Sequence, residues 1–410
     1  MKIAIIGGGA SGLFCANKLV ELFQNQDISI DIIEKDKRVG KKLLMTGNGK
    51  GNISNLNVNP SKYNSTFVTN SLNRLSCNDL YKFFEDKGVL LINDEEGRVY
   101  PRSGTANTIL DTLRNGYAKE NVNEIIDTNV DSLEFLDNKI RVVGNSFNKV
   151  YDVVVLTTGS KAGLNNAPAK YNTNLIESTR HTLTKMYPAL SPMYVFDSIA
   201  SLRGIRAKVK AKMFVKDTYE VEGEVLFKDD ALSGICMFEL SSFYARNMIK
   251  GNVNNLNIHL DFLKEYSLEE IILKLKSMKE NLKDEDANTL LNGFFPKMLA
   301  KYILDASKIN TKDRLIKDLS DEELIVIASN IKDQVFNVNT NKVSSSCQIM
   351  VGGVSLKDVD PNTLESKLQH NLYFGGEVLN IDGQCGGYNL HFAFASGNLI
   401  AESIYKRNGE

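Results

Sequence analysis

The stretch Lys2-Ile3-Ala4-Ile5-Ile6-Gly7-Gly8-Gly9-Ala10-Ser11-Gly12 decides the fold. Ile3 to Ile6 is a short unbroken apolar run, the pattern of a strand buried on both faces of a parallel sheet. Behind the glycines, Leu13, Ala16, Val20 and Phe23 recur at helical spacing, and Ile28 to Ile33 reads as a second strand. Strand, helix and strand within about 30 residues make a βαβ unit. Gly7-Gly8-Gly9-Ala10-Ser11-Gly12 fits G-x-G-x-x-G where that motif has a mechanism, after a strand and at the head of a helix. Gly7 permits the tight turn, Gly9 lets a pyrophosphate approach the backbone, and Gly12 lets helix and strand pack closely. The helix N-terminus offers unpaired N–H groups to the phosphates. Glu34 follows Gly12 by 22 residues at the end of the second strand, where a carboxylate can accept both hydroxyls of an adenosine ribose. The unit predicts a dinucleotide site.

The chain of 410 residues is long enough for two or three domains at roughly 150 residues each. Hydrophobic residues at 42% and charged residues at 24% exclude a disordered or membrane-embedded chain. Lys and Arg number 49 against 50 Asp and Glu, a net charge of -1, so no global field draws the protein to nucleic acid or to an anionic membrane. The five cysteines are scattered without a CxxC, which predicts neither a disulfide framework nor a metal site. No apolar run reaches about 18 residues and the first residues lack the pattern of a secretory signal. The expectation is a cytoplasmic protein with no membrane or nucleic-acid partner; oligomeric state is not legible.

Two further glycine clusters narrow the cofactor. Thr46-Gly47-Asn48-Gly49-Lys50-Gly51-Asn52 follows Lys41-Lys42 and is not a Walker A loop, because Gly51 stands where Ser or Thr is required. A loop here can wrap a long cofactor beyond its adenosine half. Near the other end, Tyr373-Phe374-Gly375-Gly376-Glu377 is followed by Gly383-Gln384-Cys385-Gly386-Gly387-Tyr388-Asn389, which opens the last helix. Glu377 at a strand end suits a polyhydroxyl chain such as ribityl, and the helix start suits the negative charge of a reduced flavin. NAD needs no such second clamp, so FAD is the expected tightly held cofactor.

The chain as a whole resembles the YhiN/BaiN-type bacterial flavoproteins, NAD(P)/FAD-dependent oxidoreductases that include aminoacetone-oxidase-type members. The resemblance rests on Ile5 to Gly12, Lys41 to Gly49, Gly97-Arg98-Val99-Tyr100-Pro101 with Ser103, Gly223 to Phe227 with Ser233-Gly234, Val351 to Val354, and Tyr373 to Asn389. It implies an α/β fold: a Rossmann-like FAD-binding domain built from both chain ends (1–189 and 347–410), an inserted β-barrel-like module (190–265, returning at 334–346) and a helical insert (266–333). It implies that Gly7, Gly9, Ser11, Gly12 and Glu34 face the adenosine and pyrophosphate. Lys42, Thr46, Gly47 and Gly49 would line the flavin side, and Gly376, Glu377, Tyr388 and Asn389 would hold the ribityl and isoalloxazine. Ala10, Lys35, Thr158, Gly159 and Gly387 complete the candidate cofactor-binding set. The chain departs from the family after Gly49, where Lys50-Gly51 replaces the usual Arg-Cys, and after Ser160, where Lys161 to Asn166 lacks the usual Pro- and Gly-containing loop.

The expected activity is NAD(P)H-dependent reduction of an activated C=C bond in a small organic substrate, with NADH or NADPH as donor. The alternatives are a flavin amine oxidase using O2 and an RNA-modifying flavoprotein. No residue is assigned as catalytic acid or base, the acid being water or a tyrosine. His391 near the expected flavin reads as a packed polar residue rather than a proton relay, and the alternating Arg206, Lys208, Lys210 and Lys212 as a solvated strand face.

Overall fold

The structure is a computed structural model that describes residues 1–24, 26–118, 120–162, 173–251, 256–342 and 346–409. The chain divides into two compact units, Met1–Tyr187 with Ile349–Glu410, and Pro188–Gln348.

In the first unit the apolar runs form a five-stranded parallel sheet. Its order is Leu372–Phe374, Val153–Leu156, Lys2–Ile6, Ser29–Ile33, Val122–Ile125. The first strand is central, pairing Ile5 with Val155 on one side and Ile32 on the other. A strand from the far end of the sequence closes the edge, pairing Val155 with Tyr373. Ile3, Ala4, Ile5, Val154, Val155 and Leu156 are fully buried, as strands covered on both faces must be. The first helix, Ala10–Leu22, buries Leu13, Phe14, Cys15, Ala16 and Leu19. It crosses the last helix, Tyr388–Gly409, at Gly397, where a Cβ would lie 2.4 Å from the Ser11 carbonyl oxygen. Phe14 packs on Phe394 and Phe83 with ring centres 5.3 and 4.5 Å away.

Two three-stranded antiparallel sheets attach to this unit. The apolar segment from Val150 to Leu156 is not one strand. It divides at Asp152 into a meander strand, Phe147–Tyr151, and the buried strand Val153–Leu156. The Asp152 carboxylate accepts from the Lys2 backbone N–H at 2.7 Å and pairs with Lys139 at 3.1 Å, which fixes the point where the chain changes sheets. The other is an antiparallel ribbon of Ser54–Asn55, Arg98–Pro101 and Leu91–Asn93, with Ser54 opposite Val99 and Asn55 opposite Arg98.

The second unit carries an antiparallel sheet in the order Met193–Tyr194, Ala231–Ser233, Thr218–Phe227, Arg206–Phe214, Asn257–Asp261, Gln334–Asn337. Its two edges meet. Val195 bridges Val338, with Phe196 N–H on Asn337 O and Asn339 N–H on Tyr194 O, each 2.8 Å, so the sheet curls closed and leaves no long edge. Val209, Ala211, Met213, Val225, Phe227, Ile258, Leu260 and Phe336 fill one core with Leu299, Ile303, Ile327 and Ile331 from its helices. Helices Leu268–Asn281 and Asp321–Lys332 each begin with a reciprocal capping box, Ser267 with Glu270 and Ser320 with Glu323. The row Arg206, Lys208, Lys210, Lys212 lies across from Glu220, Glu222 and Glu224 on the adjacent strand. Arg206 pairs with Glu224 at 2.5 Å, and Lys210 and Lys212 with Glu220 at 2.6 and 3.1 Å. The outer-face reading of that row holds, and the strand beside it neutralises it.

Candidate functional site

The site lies at the carboxyl ends of the parallel strands, all within the first unit. Gly7 leaves the first strand at φ 106°, and its N–H donates to Ile33 O at 2.8 Å. A Cβ there would lie 2.4 Å from Thr157 O and 3.0 Å from Thr158 Cα, which places Thr158 beside the turn. At Gly12 a Cβ would lie 2.2 Å from Gly7 O, so helix and strand meet where no side chain fits. Gly9 differs. It starts the helix in extended conformation with no side-chain cap, and a Cβ on it would meet nothing within 4 Å. The helix therefore begins beside an open cleft, and its first N–H groups, from Ala10, have no acceptor within the helix.

Glu34 closes one side of this cleft. Its carboxylate accepts from Gly8 N–H at 2.8 Å and Asp36 N–H at 2.9 Å, which fixes its orientation and uses two of about four acceptor positions. The remaining two suit a ribose diol. Lys35 is the next residue and is half-buried. Together the open glycine, the uncapped helix start and the oriented carboxylate fit the adenosine and pyrophosphate of a dinucleotide.

A second cluster lies between the two chain ends. Glu377 receives Lys42 Nζ at 2.9 Å, Ser160 Oγ at 2.7 Å and Met350 N–H at 3.1 Å. Gly159, at φ 68°, lies beside Lys42, whose Nζ is 3.8 Å from the Cβ position. Gly376, at φ 70°, donates its N–H to Ser396 Oγ at 2.9 Å, and Ser396 Oγ lies 3.2 Å from Ser11 Oγ. The predicted Ser11, Gly376, Glu377, Lys42 and Gly159 thus belong to connected contacts. Ser160 and Ser396 were not among the residues singled out from the sequence. Ser160 adjoins Gly159, a usable signal, whereas Ser396 meets Ser11 and Gly376 only through the folded chain.

The two flavin-side loops meet on the ribbon. Thr46 Oγ1 donates to Leu43 O at 2.6 Å, and Gly47 and Asn48 follow in left-handed conformation at φ 56° and 54°. Gly47 presses on Asn52 and on the Tyr100 ring, 2.9 and 3.3 Å from its Cβ position. At Gly49, φ 84°, a Cβ would touch only Leu44 O, at 3.9 Å. Opposite, Gly386 O accepts from Asn55 Nδ2 at 3.0 Å, and Gly387 at φ 101° would put a Cβ 2.1 Å from Ser54 O. Asn389 turns back into its own loop, its Oδ1 accepting from Gly383 N–H at 2.8 Å and its Nδ2 donating to Gly383 O at 2.9 Å. Tyr388 is buried against Tyr63, whose hydroxyl donates to Tyr388 O at 2.8 Å. In this geometry Asn389 shapes the loop. Of the segment Lys161 to Asn166, expected to differ from the family, all from Gly163 onward lies outside the described residues.

His391 is fully buried in the first turn of the last helix. Its Nε2 lies 2.9 Å from Leu75 O, which can only accept, so Nε2 carries the proton and Nδ1 accepts from Ser54 Oγ at 2.8 Å. Burial pushes its pKa down to about 4, and the imidazole stays neutral near pH 7 as a structural tie. Among the described residues no group of His, Cys, Asp and Glu could hold a metal, and no helix is long and apolar enough to cross a membrane.

A parallel sheet with an open G-x-G-x-x-G turn and a second clamp from the far end of the chain defines a dinucleotide-binding flavoprotein. Residues 1–403 match the HI0933-like protein Rossmann domain, and the chain belongs to that family of FAD-dependent oxidoreductases. It is 30% identical over 99% of both chains to the 3-dehydro-bile acid delta(4,6)-reductase of Clostridium scindens. It is 27% identical over 98% of both chains to the ribosomal RNA dihydrouridine synthase of Haemophilus influenzae. Among solved structures, a flavocytochrome c3 fumarate reductase in its open conformation aligns with a TM-score of 0.47 at 15% identity, covering 100% of this chain and 78% of that one. The relative named for ribosomal RNA removes the ground for excluding nucleic acid as a partner.

Proposed function

We propose that this protein reduces a C=C bond conjugated to a carbonyl in a small organic substrate, using FAD replenished by NADH or NADPH. Gly7, Gly9, Ala10, Ser11, Gly12, Glu34 and Lys35 hold the adenosine and pyrophosphate in this reading. Lys42, Thr158, Gly159, Gly376 and Glu377 hold the ribityl and pyrophosphate end, and Thr46, Gly47, Gly49, Gly387, Tyr388 and Asn389 border the flavin ring. When bound, FAD supplies two-electron hydride chemistry. The chain's own residues orient it: Glu34 by its two backbone N–H bonds, Glu377 by Lys42 and Ser160, and the last helix by a positive dipole end that favours negative charge near its start. The subdivision of the second unit into a β-rich module (190–265 and 334–346) and a helical insert (266–333) belongs to the same proposal.

The observation that carries the reading is the Gly9 cleft beside the fixed Glu34 carboxylate, joined to the reactions named for the relatives. A bile acid delta(4,6)-reductase and a dihydrouridine synthase both add two hydrogens across a C=C bond in conjugation with a carbonyl. Charge favours the small substrate over RNA. Unit Pro188–Gln348 has 22 Lys and Arg against 23 Asp and Glu, and the rest of the chain 27 against 27, so neither supplies the positive surplus that phosphate binding draws on. The test is to mix the holoprotein anaerobically with NADH, NADPH and a set of amines and follow the flavin absorption band. Bleaching by a reduced nicotinamide supports the reading; bleaching by an amine alone makes the protein an oxidase.

A further inference from the structure

The strand Arg98–Pro101 alternates its side chains. Val99 is fully buried, while Arg98 and Tyr100 are half-buried on the opposite face. That face lies between the two glycine loops. The Tyr100 ring lies 3.3 Å from the Cβ position of Gly47, and Arg98 Cγ lies 3.5 Å from that of Gly386. Gly47 and Gly386 stand at positive φ beside these two side chains, and Gly387 presses on the neighbouring strand at Ser54. Arg98 is held by Asp94, with Nε to Oδ2 at 2.7 Å, and by Glu96. The hydroxyls of Tyr63, Tyr117 and Tyr151 are committed to Tyr388 O, Glu124 and Asp31. Tyr100 makes no such side-chain hydrogen bond among the described residues.

We propose that Tyr100 is the catalytic acid that protonates the α-carbon of the substrate. This rests on the reading of the protein as a reductase of conjugated C=C bonds. The substrate's β-carbon takes a hydride from reduced FAD and its α-carbon takes the Tyr100 hydroxyl proton, so the C=C π bond is replaced by two C–H bonds. Both electrons come from the reduced nicotinamide, and the tyrosinate left behind recovers its proton from solvent. The groups facing Tyr100 suit a donor. Burial, Asp94, Glu96 and Cys385 hold its pKa above the ordinary value and keep it protonated. The Arg98 guanidinium acts in the opposite sense and steadies the tyrosinate once it forms. Position and charge thus give the Gly97-Arg98-Val99-Tyr100-Pro101 segment a chemical role.

The test compares wild type, Tyr100→Phe and, as a control, Tyr81→Phe on the helix Cys77–Glu85. In each, the flavin is photoreduced anaerobically and mixed with cyclohex-2-enone or with O2. Tyr100→Phe should slow reoxidation by the enone by about 10²- to 10⁴-fold, the usual worth of a positioned acid. Reoxidation by O2 should change by about twofold or less. The second readout needs no substrate: ionisation of a tyrosine beside the ring gives a pH-dependent step in the visible flavin band. Tyr100→Phe should change the pH dependence of that band, by losing the Tyr100 contribution, whereas Tyr81→Phe should leave it as in wild type. Wild-type enone reactivity in Tyr100→Phe, or a pH dependence of the flavin band identical to that of wild type, overturns the assignment. If no enone reoxidises the wild type, the reductase reading fails, and the band titration still decides whether Tyr100 faces the flavin.

Discussion

Gly9 and Gly12 sit three residues apart in one motif, yet substitution by alanine should have opposite consequences. Gly9 is at φ -88° and ψ -169°, a conformation any residue adopts, and a Cβ there touches nothing within 4 Å. Gly9→Ala should leave the apoprotein as stable as wild type, or more stable by about 0.4–1 kcal/mol through a narrower unfolded ensemble. The same methyl stands where the pyrophosphate would approach the helix start. Losing one hydrogen bond to a charged group costs about 1.5–3 kcal/mol, so the Kd for FAD should rise roughly 10- to 150-fold. At Gly12 the new Cβ would lie 2.2 Å from Gly7 O, 2.7 Å from Thr157 Oγ1 and 3.0 Å from Ile5 Cγ2. Gly7 O is backbone and Ile5 belongs to the sheet core, so Gly12→Ala should destabilise the apoprotein by about 1–3 kcal/mol. Urea unfolding of the apoproteins and FAD titration by flavin fluorescence separate the two effects. A Gly9→Ala protein that binds FAD like wild type would refute the placement of the pyrophosphate on this turn.

Three other outcomes follow from the geometry. Glu34→Gln sets an amide NH2 against either Gly8 N–H or Asp36 N–H, and FAD retention should weaken by about 1–3 kcal/mol; unchanged retention removes Glu34 from the ribose. Gly387→Ala meets both a φ of 101° and a Cβ 2.1 Å from Ser54 O, so its urea midpoint should fall by the equivalent of about 1–3 kcal/mol, and an unaltered midpoint contradicts the loop geometry. His391 titrates at about 4 when folded but near 6.5 when unfolded, so between those values the unfolded chain binds more protons and stability falls with falling pH. The loss through this residue reaches about 3 kcal/mol at pH 4; His391→Gln should flatten that part of the pH profile, and an identical profile in both proteins assigns the loss elsewhere.

The features read most directly from the sequence are those whose cause is local. The Ile3 to Ile6 run, the glycine turn and the helix behind them each rest on spacing within about a dozen residues, and the structure has them where the pattern puts them. The division of the strand at Asp152 was not legible, because its partners are Lys2, on a strand distant in sequence, and Lys139, in an earlier turn. The two-residue strand Ser54–Asn55 is too short to show alternation. The closure of the second sheet depends on Val195 meeting Val338, a pairing no local signal announces. At the site, the glycines and Glu377 carried sequence signals, whereas the Ser11 to Ser396 contact depends on how the last helix crosses the first, and the turn of Asn389 into its own loop depends on the path of Gly383 and Gln384.

The central claim is that electrons leave this flavoprotein for a C=C bond conjugated to a carbonyl in a small organic substrate, not in RNA. It is tested most directly by photoreducing the holoprotein anaerobically and adding, in separate mixings, a 3-oxo-4-ene steroid, a uridine-containing ribosomal RNA fragment, or O2. The account predicts that the steroid restores the oxidised flavin band with one equivalent of saturated ketone formed per flavin, and faster than O2 does. Reoxidation by the RNA fragment with dihydrouridine as product, or by O2 alone, would contradict it.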